Sequence, residues 1–299
     1  MSENDQAMHR KNPKPWLTMY GNQFPEHVDF KPLTLMAMFK KIVKEFPDNT
    51  ALNYKGYKVS YTLLLNMINT FSCCLKKFGI KRGDCVGIML PNVISLVTSY
   101  YATLKIGGVA VMIDPDCELK ELEYILNDAS IKVVVTLDAR ANHLITLRKR
   151  TKVERVVYTS ATDYLSPPFS ILRRLIGLGK NQPMKVTPAR DLYTWKNIMT
   201  ERPLIVGEES IELHDSAMIF YTRDSEGRLQ GVVLSHKNLS FHVQQINAWF
   251  NGFEKGRERI LAATWLTQSF GVSVSMNWPI INGWELVLTA KIKSSVGSL

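Results

Sequence analysis

The chain has little cysteine: four residues in 299, Cys73, Cys74, Cys85 and Cys117. Two are adjacent and none stands in a C-x-x-C pair, which argues against a zinc cluster or a disulfide framework and for free thiols in a reducing, cytoplasmic setting. Histidine is also scarce. His9, His27, His143, His214, His236 and His242 show no metal-ligand spacing, so no metal site is assigned. There is no G-x-S-x-G elbow and no cysteine with a partner base, so no nucleophile and no catalytic residue is assigned. Internal repeats and low-complexity tracts are absent, which excludes a solenoid. The polar stretch Met1 to Lys14 lacks the apolar centre of a signal peptide. The longest apolar run, Val93 to Ile113, is broken by Lys105 and by Gly107-Gly108. It therefore reads as a buried helix, a glycine turn and a strand rather than a membrane span.

Acid is in short supply as well. Against 37 Lys and Arg stand 27 Asp and Glu, a formal charge of +10, which points to an anionic partner. Positive residues are not interleaved with stacking aromatics, which argues against nucleic acid. With 45% hydrophobic and 21% charged residues the chain is a folding one, long enough for one large domain or two medium ones.

Apolar spacing predicts helices over Leu33 to Phe46 and Tyr61 to Phe78, the second closed by Gly79, with a hairpin turning at Lys55-Gly56 between them. Strands over Cys85–Leu90, Val109–Ile113, Lys132–Thr136 and Val153–Tyr158 then alternate with helices over Ile94–Leu104, Leu119–Ala129 and Ala141–Arg148. The alternation predicts an α/β fold of layered, mostly parallel sheets with flanking helices. The expected division is a leader at 1–30, an α/β subdomain at 31–211 with a basic insertion at about 140–190, and the start of a second subdomain at 212–299.

Residues 140–190 hold eleven basic residues against two acidic ones, nearly the whole net charge. Within them, Phe169 to Leu178 places Phe169, Leu172, Leu175 and Ile176 on one helical face and Arg173 and Arg174 on another. This is the form of a helix lying on an anionic membrane surface, and equally of an amphipathic helix packed on the domain.

The segment Asp215 to Leu239 predicts a strand over Ser216–Thr222, a polar loop with Ser225 and Gly227, a strand over Gly231–Leu234, and a helix capped by Ser235. Tyr221-Thr222 and Gly231-Val-Val-Leu-Ser-His236 match the flanks of the loop Y-T-S-G-T-T-G-x-P-K-G-V and the L-[ST]-H that follows it in AMP-forming acyl-CoA synthetases. Val59-Ser-Tyr-Thr62, Gly79-Ile-Lys-Arg-Gly-Asp-Cys-Val-Gly-Ile-Met-Leu-Pro-Asn92 and Leu104-Lys-Ile-Gly-Gly-Val-Ala-Val-Met-Ile-Asp-Pro115 resemble further motifs of that superfamily. Lys14-Pro-Trp16 and the stretch before Tyr193-Thr-Trp-Lys196 look most like its long-chain fatty-acid branch. The resemblance covers about residues 14–290, the first half of a full-length member.

It implies ATP and Mg²⁺ as cofactors, CoA as co-substrate and a fatty acid as the activated acid. It also places nucleotide contacts at Thr222, Arg223, Ser225, Gly227, Arg228 and Gln230, and an acyl pocket at Trp265, Gln268, Phe270 and Gly271. The loop centre departs from the pattern. Arg223 and Asp224 replace Ser and Gly, Glu226 replaces Thr, and Leu229 and Gln230 replace Pro and Lys. A carboxylate about 4 Å from a phosphate costs about 4 kcal/mol at an effective dielectric near 20, so impaired ATP binding is expected unless Arg223 and Arg228 turn inward. The adenine-binding segment, the hinge and the C-terminal lid with its lysine fall beyond the resemblance. Three expectations follow: a truncated, catalytically impaired ligase homologue; a non-catalytic acyl, nucleotide or membrane-surface module; or half of a split ligase whose C-terminal part is a separate chain.

Overall fold

The computed structural model describes residues 24–160, 162–164, 185–201 and 210–289. The Lys14-Pro-Trp16 leader and the basic run with Arg173 and Arg174 lie outside the described residues.

Helix α1 (Leu35–Glu45) starts where the Thr34 hydroxyl accepts the Ala37 N–H, and buries Leu35, Met36, Phe39, Ile42 and Val43 on one face. Strands β1 (Thr50–Tyr54) and β2 (Tyr57–Ser60) form the expected hairpin. Ser60 then caps α2 (Tyr61–Lys77), which Gly79 closes at φ +80°. Next come β3 (Cys85–Met89), α3 (Ile94–Lys105), β4 (Val109–Met112), α4 (Leu119–Asp128), β5 (Val133–Leu137), α5 (Asp138–Leu147), β6 (Arg155–Thr159), β7 (Leu192–Thr194) and α6 (Trp195–Thr200). The chain continues with β8 (Ser216–Arg223), β9 (Leu229–Ser235), α7 (His236–Trp249) and β10 (Arg259–Leu261). It finishes with a π-helical segment (Gly271–Asn277), the short α8 (Trp278–Ile280) and β11 (Glu285–Leu288).

Seven strands form one sheet in the order β7-β6-β5-β3-β4-β8-β9, parallel except for the β8–β9 pair. Val86, Ile88, Val133, Val134, Val135, Val156 and Val157 are fully buried, because helices cover both faces of the parallel strands. The second sheet runs β10-β11-β1-β2. Helix α3 is buried from Ile94 through Leu104, so the apolar run that could suggest a membrane span is a core helix followed by a turn at Gly107 and by β4. No helix among the described residues is long and apolar enough to cross a membrane.

Strand pairing crosses the expected 211/212 division in both directions. β8 and β9 extend the sheet built by β3 to β7, while β1 pairs in parallel with β11, Leu52 opposite Leu286. Sequence order suggested two consecutive units. The chain changes sheet only between β2 and β3 and between β9 and β10, so the connection between the parallel neighbours β1 and β11 contains the whole seven-stranded sheet.

Buried polar side chains tie the layers together. Asn277, on the π-helical segment, donates to the Tyr100 hydroxyl at 3.0 Å and accepts from the Tyr101 hydroxyl at 3.0 Å, with both rings wholly buried on α3. The Tyr61 hydroxyl donates to the Trp284 carbonyl at 2.8 Å.

Candidate functional site

The loop expected to hold phosphates sits at the carboxyl end of β8, the side of a parallel sheet where ligands bind in open α/β folds. It is shorter than the sequence suggested. The antiparallel ladder runs on through Thr222 opposite Gln230 and Arg223 opposite Leu229, which leaves only residues 224–228 as the turn. Arg223 and Gln230, expected in the loop, are therefore strand residues. Asp224 closes the turn: its N–H donates to the Arg228 carbonyl and its carbonyl accepts from Gly227 N–H, both at 3.0 Å. Gly227 stands at φ +78° with open space where a side chain would be, so it is the left-handed backbone that calls for glycine here.

The charged side chains of the tip are engaged with one another. The Asp224 carboxylate accepts the backbone N–H groups of Glu226 and Arg228 at 2.9 Å each, together with Arg228 Nε and Gln230 Nε2 at 3.1 Å each. These bonds, the backbone N–H of Arg228 foremost, hold its carboxyl below the usual carboxylate range. Arg228 also pairs with Glu226 at 2.9 Å. Arg223 donates to the Gly227 carbonyl at 2.9 Å and pairs with Glu121 on α4. Neither arginine is held for an incoming anion. The Thr222 and Ser225 side chains are exposed and make no hydrogen bond among the described residues. Beneath the tip the Tyr221 hydroxyl donates to Asp128 at 2.6 Å, and burial followed by that carboxylate pushes the phenol well above its usual range.

The second expected group lies after β10. Trp265 is half-buried, Gln268 is exposed, and Phe270 is 60% exposed. Gly271 is buried, and a Cβ there would lie 2.0 Å from the Trp265 carbonyl oxygen, so this tight turn admits no side chain. No hydrogen bond or ion pair among the described residues joins this group to the hairpin tip.

Sequence reasoning missed the residue that positions it. Asn92, wholly buried after β3, donates to the carbonyls of Ala262 (3.2 Å) and Thr264 (2.8 Å) and accepts the Leu266 N–H at 2.9 Å. Its signal was a polar residue just beyond an apolar strand, at the end of the Gly79–Asn92 motif. His236 opens α7 behind the cap, where Ser235 and Asn238 form a reciprocal capping box. Its ring is fully buried, both nitrogens lack a hydrogen-bond partner among the described residues, and burial pushes its pKa down to about 4, only partly opposed by Asp215.

A family model described as AMP-binding enzyme matches residues 39–296. The chain belongs to this family. Among curated relatives it is 31% identical over 284 residues to a long-chain-fatty-acid–CoA ligase of Bacillus subtilis, covering 93% of this chain and 50% of the relative. It is 25% identical over 288 residues to the ligase of that name from Escherichia coli, again covering 50% of the relative. The chain thus spans about half the length of the curated relatives it matches. Among solved structures, an anthranilate CoA ligase in complex with anthranoyl-AMP superposes with a TM-score of 0.73 at 19% identity, over 88% of this chain and 46% of that one. A long-chain-fatty-acid-CoA ligase from Archaeoglobus fulgidus gives 0.68 at 19%, over 88% and 50%. These likenesses show the fold: the N-terminal part of the adenylate-forming ligase architecture, as the motifs implied.

Proposed function

We propose that this chain carries the acyl-side scaffold of a long-chain fatty-acid–CoA ligase with a nucleotide loop rebuilt so that the chain alone does not activate fatty acids. One observation carries the reading: the loop's N–H donors and its Arg228 are already engaged by Asp224. The family's ligases use ATP, Mg²⁺ and CoA. The residues at this tip do not fit a triphosphate, since Asp224 and Glu226 place two carboxylates there and Gln230 stands where the family pattern has lysine. Trp265 and Phe270 leave an apolar wall for an acyl chain, in a turn held by Asn92. The expected result is that purified chain given ATP, Mg²⁺, palmitate and CoA forms no acyl-CoA above blank; formation above blank overturns the reading.

A second reading is half of a split ligase, supported by the half-length match and by β10, an edge strand on which Leu261 is 59% exposed. Co-purification with a chain equivalent to the other half of the relatives, and activity only in that pair, would favour it. Attachment to an anionic membrane rests on Arg173 and Arg174. It predicts salt-sensitive vesicle binding that weakens when both become Glu, and binding indifferent to salt counts against it.

A further inference from the structure

We propose that Asp224 is a built-in ligand: its carboxylate occupies a latent oxyanion site at the tip of the β8–β9 hairpin, and the class of ligand that site takes once vacated is a phosphate-type oxyanion. The inference rests on reading the hairpin as a rebuilt phosphate loop. It goes further by naming the group that fills the loop and the donors that would be released.

The donor set is the observation. Asp224 Oδ1 accepts two backbone N–H groups, from Glu226 and Arg228, at 2.9 Å each. Oδ2 accepts one guanidinium N–H, from Arg228 Nε, and one amide N–H, from Gln230 Nε2, at 3.1 Å each. Successive backbone amides turned toward one point, reinforced by a guanidinium, are the components of an anion nest. The donors converge inward: the Asp224 side chain is 18% exposed, whereas that of Arg228, reaching over it, is 68% exposed. Gly227 supplies the left-handed residue between the two donating amides.

Charge at the tip closes on itself. Two arginines, Arg223 and Arg228, stand beside two carboxylates, Asp224 and Glu226, and the formal sum over 223–230 is zero. Arg223 is drawn away to Glu121 and to the Gly227 carbonyl, which leaves Arg228 as the cation of the nest. Removing the Asp224 carboxylate leaves a single positive charge and four donors that converged on it. A phosphate oxygen pair matches them in number and sign, and water competes for them because the tip is exposed. The gained affinity is therefore modest and sensitive to salt.

The test compares the whole chain with Asp224→Gly and Asp224→Asn, using inorganic pyrophosphate as the probe and titration calorimetry or phosphorus NMR as the readout. The expected result is no saturable binding by the unaltered chain at millimolar probe. Asp224→Gly should bind at least tenfold more tightly, and Asp224→Asn, which keeps one acceptor oxygen, should fall between. Adding Arg228→Ala to Asp224→Gly should abolish the gain. A folded Asp224→Gly chain with an unchanged melting temperature and no gain overturns the proposal, as does a gain indifferent to Arg228. Should Asp224→Gly lower the melting temperature, amide exchange in the unaltered chain decides. The Glu226 and Arg228 amides should be protected at neutral pH and lose protection as Asp224 is protonated; unprotected amides at neutral pH overturn the proposal. Pyrophosphate binding by the unaltered chain equal to that of Asp224→Gly overturns both this inference and the impaired-loop reading. A failure confined to the variants overturns this inference alone.

Discussion

Two hydrogen-bonded polar clusters, one at the hairpin tip and one at the centre of the molecule, are held in opposite ways. At the tip, Asp224, Glu226 and Arg228 bond one another near solvent, and Arg223 turns to the Gly227 carbonyl and to Glu121. In the centre, Tyr100, Asn277 and Tyr101 satisfy one another where no water reaches. A bonded group in water has an alternative partner, so altering it costs little. A bonded group in the core has none, and losing its partner costs the whole desolvation penalty. The scaffold keeps the architecture of its family, while the hairpin tip departs from the family's loop pattern.

The largest effect should come from breaking the central cluster. Asn277→Ala removes the partner of two buried hydroxyls and opens a cavity, and should destabilise the chain by about 3 kcal/mol in urea unfolding. A loss under about 1 kcal/mol would remove the contrast between the two clusters.

A comparable effect is expected from acid through His236. Its folded pKa, about 4, lies below the ordinary histidine value of 6.5, so the unfolded chain binds the proton more readily. The stability this neutral ring contributes is fully present above pH 6.5 and is lost as pH falls toward 4, about 3 kcal/mol in all. His236→Leu should flatten the stability profile across that window. An unchanged slope would assign it to other groups.

At the tip the expected effect is smallest: Ser225→Ala should stay within about 0.5 kcal/mol of the unaltered chain. A larger loss would mean that the turn is coupled to the core and that the comparison overstates their independence.

Much of the fold was legible because apolar periodicity reports burial directly. Helices α2, α3 and α4 were read to within about a residue at each end. Pairing between distant strands was not legible: nothing local in Thr50–Tyr54 announces that its neighbour is Glu285–Leu288. The hairpin was read too open because polarity at Arg223 and Gln230 suggested a loop, whereas Arg223 extends β8 beyond its pairing with β4 and Gln230 lies on the edge strand β9, where polar side chains face solvent. Asn92 was passed over for the opposite reason. A single buried asparagine leaves no periodic trace, and its three partners lie at least 170 residues away. The opposing charges in the loop were plain in the sequence, but which of them would pair, and that both arginines would be used up, depended on the shape of the turn.

The parallel contact between β1 and β11 also sets a schedule. Asn53 donates to Glu285 across 232 residues of chain. During synthesis the β1–β2 hairpin must therefore wait, with one edge bare, until residues 285–288 have left the ribosome. Over that interval it is open to mispairing. A polypeptide released before Glu285–Leu288 would leave β1 without its parallel neighbour.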